Sequence, residues 1–464
     1  MNPTPPIIKG QTAVLDVTAL GSGGEGIAHI DGFAVFVKNA LPQEKIAAKI
    51  DLVKKNYAVA HIEKIISLSP ERIAPACPIY AQCGGCQLAH LTYDAELNLK
   101  RQTVIDALER IGVQKNITVP PVIGGTPINY RNKMQFPVGA KNGRAIIGCY
   151  AQGTHTVIET ANCLIQKPGN NAVLSVLSDV IRQFSVAPYD ETTHSGVLRH
   201  VMGREGENGA MMVVLVTRTA KLPHEKEIVA EIVRRVPKVK SIWQNVNEQK
   251  SNVILGSKGR LLWGEKTITE KIGDLTFGIS PLSFFQVNTE QARRLYEIAL
   301  DFAALTGQET VIDAYCGTGT ISLFLAKKAK KVWGIEIVPA AIDDARKNAR
   351  TNRIDNAEFI CGDAAVWAEK FAKKKWGVDV AVLDPPRAGC AETLLNAIAA
   401  MKPQRIVYVS CNPATLARDA AVLDKLAYKL EKVQCVDMFP RTVHIETVGL
   451  FDLQRHPAPP GKLH

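Results

Sequence analysis

The chain has 464 residues, of which 46% are hydrophobic and 22% charged, a composition typical of globular proteins. A chain of this length can form about two to four domains of ~150 residues and bury its cores without disulfide or metal support. No apolar run reaches the ~18 residues that cross a bilayer, and the first residues lack a secretion signal, so we expect a cytoplasmic protein with no membrane partner. The net charge of +11 favours a polyanionic partner.

Residues 1–66 are predicted to form a first domain of short strands. Alternating apolar residues at 11–17, 33–37, 45–50 and 58–62 indicate strands, and the glycine-rich run 21–26 indicates a turn. Short strands in so small a segment predict a barrel, because closure removes the edges of a sheet. This segment resembles the TRAM domain, an OB-like RNA-binding barrel attached to several RNA-modifying enzymes.

Residues 67–274 are predicted to form a mixed α+β central domain, which carries most of the positive charge. Apolar spacing predicts a helix over 94–111 and a buried strand over 211–216. Arg131, Lys133, Arg199 and His200 are candidates for contacts with the phosphates of a nucleic acid, on charge and position alone.

Three of the ten cysteines lie close together in this second segment. Cys77, Cys83 and Cys86 fall within ten residues, and the glycines at 84 and 85 permit a tight loop. A reducing cytosol argues against disulfides, so this cluster indicates a metal site with a fourth thiolate from Cys149 or Cys163. Spacing alone does not choose between zinc and an iron–sulfur cluster. It does differ from the C-x3-C-x2-C pattern of radical S-adenosylmethionine enzymes.

Residues 275–464 are predicted to form a third domain, a Rossmann-like, doubly wound α/β fold. After a helix over 291–300, strands alternate with helices. The predicted strands cover residues 310–314, 331–335, 357–361, 378–383, 404–410 and 432–438. The proline-rich tail at 455–460 is expected to be disordered.

Polar residues after successive strands of this domain predict a nucleoside-type cofactor. Gly317 lies in a tight turn between a strand and a helix, where glycine lets the backbone approach a ligand. Glu336, Asp363 and Asp384 each follow a later strand, so their carboxylates can accept hydrogen bonds from hydroxyl and amino groups. Nicotinamide fits less well because Ser322 occupies the third glycine position, and a P-loop is excluded. We therefore expect S-adenosylmethionine.

A cysteine at the start of a helix is the candidate nucleophile. Cys411 follows a strand, Asn412 is a good helix N-cap and Pro413 suits the first helical position. The positive end of the helix dipole is expected to lower the thiol pKa. Alternation places His444 and Glu446 on one face of an extended segment, and Glu446 is a candidate general base.

Four motifs together are similar to the RumA/TrmA family of RNA uracil-5-methyltransferases. They are residues 410–413 (SCNP), 384–387 (DPPR), 284–288 (FFQVN) and 444–447 (HIET). The resemblance implies that Cys411 adds to carbon 6 of a uracil and that Glu446 removes the proton from carbon 5. It also implies that the target base leaves its stack. The residues implied to hold S-adenosylmethionine are Gln286, Tyr315, Glu336, Asp363 and Asp384.

The resemblance also implies the metal and the RNA. The family pattern indicates a [4Fe–4S] cluster bound by Cys77, Cys83, Cys86 and Cys163. The barrel and the cysteine site together resemble the ribosomal branch, so we expect a monomer that modifies 23S rRNA, with transfer RNA as the alternative.

Three other classes share parts of the pattern. A cytosine-C5 methyltransferase usually carries its nucleophile in a Pro-Cys pair, and an amino-group methyltransferase would need an aromatic residue in place of Arg387. A non-catalytic RNA-binding iron–sulfur protein would leave the α/β site unexplained.

Overall fold

The computed structural model describes residues 5–454, so the tail expected at 455–460 lies outside the described residues. Across this described part, no helix combines the length and the apolar character needed to cross a membrane.

The first sheet has six strands in the order β1-β5-β6-β4-β3-β2. They are β1 (Thr12–Asp16), β2 (Ala19–Leu20), β3 (Gly26–Ile30), β4 (Phe33–Lys38), β5 (Lys45–Val53) and β6 (Tyr57–Ser67). Alternate side chains of β5, namely Ile46, Ala48 and Ile50, point into one small apolar core, as the period of two requires. The four predicted strand segments are confirmed.

The second sheet has seven strands in the order β13-β12-β11-β10-β7-β8-β9. They are β7 (Lys133–Lys141), β8 (Arg144–Tyr150), β9 (Val157–Glu159), β10 (Leu198–Glu205), β11 (Met211–Thr217), β12 (Val239–Val246) and β13 (Lys258–Gly264). Helices α2 (Pro168–Gln183) and α3 (Glu225–Arg235) share a core with the sheet, and a 3₁₀ turn (Glu207–Gly209) joins β10 to β11. Every residue of β11 is buried, as its continuous apolar run predicts.

A two-stranded hairpin follows, formed by β14 (Ile268–Ile272) and β15 (Leu275–Ile279). The predicted boundary between residues 274 and 275 falls in the turn of this hairpin. Both strands contribute to the core of the third sheet, because their alternate residues are apolar and face it.

The third sheet has seven strands in the order β18-β17-β16-β19-β20-β22-β21. They are β16 (Thr310–Ala314), β17 (Lys331–Glu336), β18 (Ala357–Cys361), β19 (Val380–Leu383), β20 (Arg405–Ser410), β21 (Tyr428–Val436) and β22 (Glu446–Leu453). The first five are parallel, and β22 runs antiparallel between β20 and β21. The predicted doubly wound sheet is confirmed, whereas β22 was expected only as an extended segment.

Helices cover both faces of the third sheet. They are α4 (Thr289–Ala303), α5 (Thr320–Ala326) and α6 (Pro339–Thr351) in one core, and α7 (Ala364–Lys374), α8 (Glu392–Met401) and α9 (Pro413–Lys425) in the other. Helix α1 (Tyr93–Arg110) belongs to the predicted central domain, yet it packs against α9. Its Val104 and Leu108 are fully buried in the core of the third sheet.

Candidate active site

The site lies where the strand order of the third sheet reverses, between β16 and β19. Loops at such a switch point leave a crevice at the carboxyl ends of the strands. The turn from β16 to α5 has positive φ at Tyr315 (68°), Gly317 (54°) and Gly319 (82°). A Cβ added to Gly317 would meet no atom within 4 Å, so this turn borders open space. The predicted glycine turn is confirmed.

Glu336 is the last residue of β17, and its side chain reaches the glycine turn between β16 and α5. Its carboxylate accepts the N–H of Gly317 at 3.2 Å and that of Val338 at 2.9 Å. This carboxylate thereby joins the loop after β17 to the glycine turn.

Asp313 is a buried carboxylate of this crevice that the sequence did not single out. Ser322 donates a hydrogen bond to one of its oxygens at 2.5 Å, whereas the other has no partner among the described residues. Burial raises the pKa of Asp313 to about 7, and the nearby Asp384 adds to this. Ser322, which replaces a third glycine, therefore serves to hold this carboxyl group. The signal in the sequence was an aspartate inside a buried strand.

Three other predicted cofactor residues lie before α7, in the glycine turn and before α4. Asp363 is exposed and caps α7 by accepting the N–H of Val366 at 3.0 Å. Tyr315 is half-buried, and burial together with the nearby Cys390 and Asp363 raises the pKa of its hydroxyl. Gln286 is buried on the loop before α4, where its backbone carbonyl accepts a side-chain N–H of Asn132 at 3.0 Å.

Cys411 stands between β20 and α9, as predicted. Asn412 caps α9 by accepting the N–H of Ala414 at 3.1 Å, and Pro413 is the first helical residue. The Asn412 side chain also donates to the carbonyl of Arg387 at 3.1 Å. The connection between β20 and α9, which contains Cys411, is thus fixed to the Asp384–Arg387 loop, which follows β19.

The expected lowering of the Cys411 pKa is not found. Burial and the nearby carboxylates of Glu446 and Asp384 raise the pKa of the thiol, while Arg387 opposes them. The prediction counted the helix dipole and left out the carboxylates, which come from other strands.

Glu446 is the first residue of β22, next to β20. It is 5% exposed, and burial together with Asp384 raises its pKa to about 8. Asp384 is partly buried, and removal of its carboxyl group from water raises its pKa to about 7. The structure therefore brings one thiol and two protonatable carboxyl groups together at the carboxyl edge of the sheet. Such values near neutrality suit proton transfer.

His444 lies on the loop before β22 rather than on the strand. Its Nε2 is 3.3 Å from the guanidinium of Arg387. Burial, then the charges of Arg387 and of Lys100, lower its pKa to about 4. Neutral His444 can therefore accept a hydrogen bond from Arg387 beside the thiol.

The cysteines of the central segment line a cavity of about 520 Å³. Its lining includes Cys77, Cys83, Cys86, Cys149 and Cys163, and it extends to Arg131, Arg387 and His444. Within residues 5–454, no three side chains of the metal-binding types converge as a single metal ion requires. The thiols nevertheless lie near one another, since burial and then the thiols of Cys163, Cys83 and Cys77 raise the pKa of Cys86 to about 12.

Both candidates for a fourth ligand are present in this cavity. Cys149 lies beside Cys83, and this neighbour lowers the pKa of the Cys83 thiol. Burial raises the pKa of the Cys163 thiol. The side chain of Asn171 fixes the backbone of Cys163, since it accepts the N–H of Cys163 at 2.9 Å and donates to its carbonyl at 3.1 Å.

Two of the predicted phosphate contacts are wrong. Arg199 is 4% exposed and donates to the carbonyls of Asn247 and Gln249 at 2.9 and 2.6 Å. Its guanidinium also lies over the ring of Tyr189. His200 is buried, and burial lowers its pKa to about 4. Arg199 thus joins β10 to the loop that contains Asn247 and Gln249, and a buried, neutral His200 is a poor phosphate contact.

Two family models match the chain. Residues 252–455 match the tRNA (uracil-5-)-methyltransferase family, and residues 8–62 match the TRAM domain. The first segment is therefore confirmed as TRAM-like.

Relatives match over nearly the whole length. An uncharacterized RNA methyltransferase of Halalkalibacterium halodurans is 49% identical over 97% of this chain and 98% of its own. One of Clostridium tetani is 48% identical over 96% and 97%. Among solved structures, a tRNA (uracil-54, C5)-methyltransferase of Pyrococcus abyssi, in complex with S-adenosyl-L-homocysteine, is 27% identical. It matches with a TM-score of 0.75 over 95% of this chain and 100% of its own.

Proposed function

The chain belongs to the family of RNA uracil-5-methyltransferases that use S-adenosylmethionine, and on that premise we propose that it methylates a uridine through a covalent bond with Cys411. The observation that carries this proposal is the grouping of Cys411, Glu446 and Asp384 at the carboxyl edge of the third sheet. Addition of a thiolate to a pyrimidine needs a nucleophile and a base within one small space.

The chemistry follows from the poor nucleophilicity of carbon 5 of uracil. The thiolate of Cys411 adds to carbon 6, and the electrons of the 5,6 double bond move into an enolate, which makes carbon 5 nucleophilic. Carbon 5 then takes the methyl group, for which S-adenosylmethionine supplies the sulfonium leaving group. Glu446 removes the proton from carbon 5, the double bond reforms, and the thiolate of Cys411 leaves.

The crevice fits S-adenosylmethionine. The unpartnered oxygen of Asp313, the carboxylate of Glu336 and the open space beside Gly317 suit a ligand with amino and hydroxyl donors. Tyr315, Asp363, Asp384 and Gln286 complete the proposed set of contacts.

The experiment that tests this mechanism uses RNA with 5-fluorouridine, which carries no removable proton at carbon 5. Wild-type protein should form a stable covalent adduct with this RNA in the presence of S-adenosylmethionine. Cys411→Ala should form none, and Cys411→Ser should form far less. An adduct with Cys411→Ala at the wild-type rate would refute the nucleophile assignment.

The proposed substrate is 23S rRNA. A barrel and a cysteine-rich segment that precede the catalytic sheet support this choice by resemblance. Transfer RNA is a second candidate, because the matched transfer-RNA enzyme of P. abyssi covers 95% of this chain, so the overall architecture does not separate the two. Nucleoside analysis of the two RNA pools from a deletion strain decides between them: 5-methyluridine should disappear from 23S rRNA and persist in transfer RNA.

The cysteine segment is proposed to bind a [4Fe–4S] cluster through Cys77, Cys83, Cys86 and Cys163. A cubane takes one thiolate at each of four irons, whereas zinc needs four ligands at about 2.3 Å from one point. Thiols spread around one cavity suit the iron–sulfur cluster better than a single zinc ion. Anaerobically purified protein should be brown with broad absorbance near ~400 nm and contain iron and sulfide. A colourless protein with stoichiometric zinc would contradict this assignment.

A further inference from the structure

The connection between β21 and β22, residues 437–445, is held from outside its own sheet. It ends at Glu446, which is paired with Val436 at the other end of the connection. The pairing of β22 with β20 and β21 holds Glu446 from one side, and these nine residues lead into it from the other. Loops are ordinarily among the more mobile parts of a fold.

Lys100 of α1 is the centre of the contacts that fix this connection. Its ammonium group is 1% exposed and donates to Glu96 at 2.7 Å and to Asp437 at 2.7 Å. It also donates to the carbonyl of Phe439 at 3.3 Å. The hydroxyl of Tyr93, also on α1, donates to the other oxygen of Asp437 at 2.9 Å. The side chain of Asp437 and the carbonyl of Phe439 are thus tied to α1, while Gln291 and Asn288 donate to the carbonyls of Asp437 and Met438 at 3.0 and 3.2 Å.

Arg441 repeats this arrangement in the middle of the connection. Its backbone N–H donates to Glu96 at 2.7 Å, and its carbonyl accepts the N–H groups of Gln87 and Leu88, both at 3.0 Å. Its guanidinium lies 3.5 Å from Glu96 and donates to the carbonyl of Leu91 at 3.0 Å. Its φ of 71° is unusual for a residue with a side chain. The contacts of residues 87–100 hold this turn in place.

The charges of the cluster balance, since Lys100 and Arg441 face Glu96 and Asp437. Buried ion clusters of this kind contribute little net stability, because the cost of removing the charges from water offsets their attraction. They do fix position, since moving any member leaves a charge buried without its partner. A cluster shared by α1 and the connection 437–445 therefore specifies where the connection lies.

We propose that Lys100 and Glu96 are positioning residues for the proton-removal step, acting through the connection 437–445 on Glu446. This inference rests on the proposed function. Neither residue touches the reacting atoms. Their loss should leave the addition of Cys411 to uracil nearly intact, because Cys411 is fixed by Asn412 and the Asp384–Arg387 loop. The release of methylated RNA should slow.

The test separates addition from elimination. With uridine RNA and methyl-labelled S-adenosylmethionine, rapid quenching followed by denaturing gels measures the methylated protein–RNA intermediate. Lys100→Met should slow its breakdown about 10- to 100-fold, as expected for a base displaced by a fraction of an ångström to an ångström. The rate of adduct formation with 5-fluorouridine RNA should change less than about threefold, well below the effect of losing a catalytic group.

A second variant keeps the test decisive if Lys100→Met folds poorly. The combination of Glu96→Gln, Lys100→Met and Asp437→Asn removes the three fully buried charges and leaves Arg441. Because Arg441 is partly exposed and still donates to the carbonyl of Leu91, this variant should fold, yet it should also accumulate the intermediate. The matched control is Glu44→Gln with Arg72→Met, which removes an ion pair, 2.5 Å apart, between a buried glutamate and a partly buried arginine. Neither residue has a hydrogen bond or ion pair with residues 437–445 among those described. It should lower the melting temperature without accumulating intermediate.

The possible outcomes point to different conclusions. Equal slowing of addition and elimination in the Lys100 variants, or accumulation of intermediate in the Glu44 and Arg72 control, would overturn the positioning role. A wild-type protein that forms no adduct with 5-fluorouridine RNA would instead overturn the covalent mechanism.

Discussion

Replacement of Glu446 by Gln is expected to stabilise the folded protein at alkaline pH. Burial and Asp384 raise the pKa of Glu446 from 4.5 to about 8. A carboxyl group with a raised pKa in the folded state contributes stability that is fully present below about pH 4.5 and is lost as the pH rises through about 8. Because a tenfold change in proton affinity corresponds to about 1.4 kcal/mol, the loss approaches about 5 kcal/mol above pH 8. Gln carries no proton to lose and avoids this cost.

Thermal unfolding of wild type and Glu446→Gln at pH 5 and pH 8.5 measures the effect. The two proteins should melt at similar temperatures at pH 5, and the variant should melt about 10 °C higher at pH 8.5. Glu248→Gln, which changes an exposed glutamate, is the control and should show no such difference. Equal melting of wild type and Glu446→Gln at both pH values would refute the reasoning that burial holds this carboxyl group protonated.

Three further outcomes are expected. Anaerobically purified Cys163→Ser protein should lack iron, whereas Cys149→Ser protein should retain it, as iron and sulfide analysis will show. The reverse result would make Cys149 the fourth ligand. Asn412→Ala should lower the free energy of unfolding by about 1 kcal/mol through loss of the helix cap, as denaturant unfolding will measure. It should also slow adduct formation, because the residue next to Cys411 loses its hydrogen bond to the Arg387 carbonyl. Arg199→Ala should lower the melting temperature without changing the salt dependence of RNA binding, because its guanidinium is occupied by backbone carbonyls; a shallower salt slope would restore it as a phosphate contact.

The parts of the site that the sequence predicted are those created by local geometry. A strand that ends in a glycine turn or a carboxylate places that residue at the edge of a parallel sheet, whatever the rest of the fold does. Gly317, Glu336 and Asp384 were found in this way. The cap at Asn412 and Pro413 similarly depends on three consecutive residues.

The features of the site that the sequence did not predict depend on contacts with residues from distant segments of the chain. The pKa of Cys411 was predicted from its own helix, but Glu446 and Asp384, on neighbouring strands, act in the opposite direction. Arg199 was predicted to contact phosphates as an exposed cation. In the structure its guanidinium donates to carbonyl groups of the loop that contains Asn247 and Gln249. Asp313 was hidden because a buried strand is expected to be apolar.

Lys100 shows this limit most clearly. Glu96 and Lys100 are four residues apart on a helix, a spacing that ordinarily indicates an exposed pair of modest stabilising effect. The structure buries both because Asp437, 337 residues further along the chain, completes the cluster. A chemical group at a strand end can be inferred from its immediate neighbours. The residues that hold it in place come from distant segments, and they become visible only when those segments are brought together. If the Lys100 variants accumulate the methylated intermediate, the central segment will have a role in catalysis that its sequence does not show.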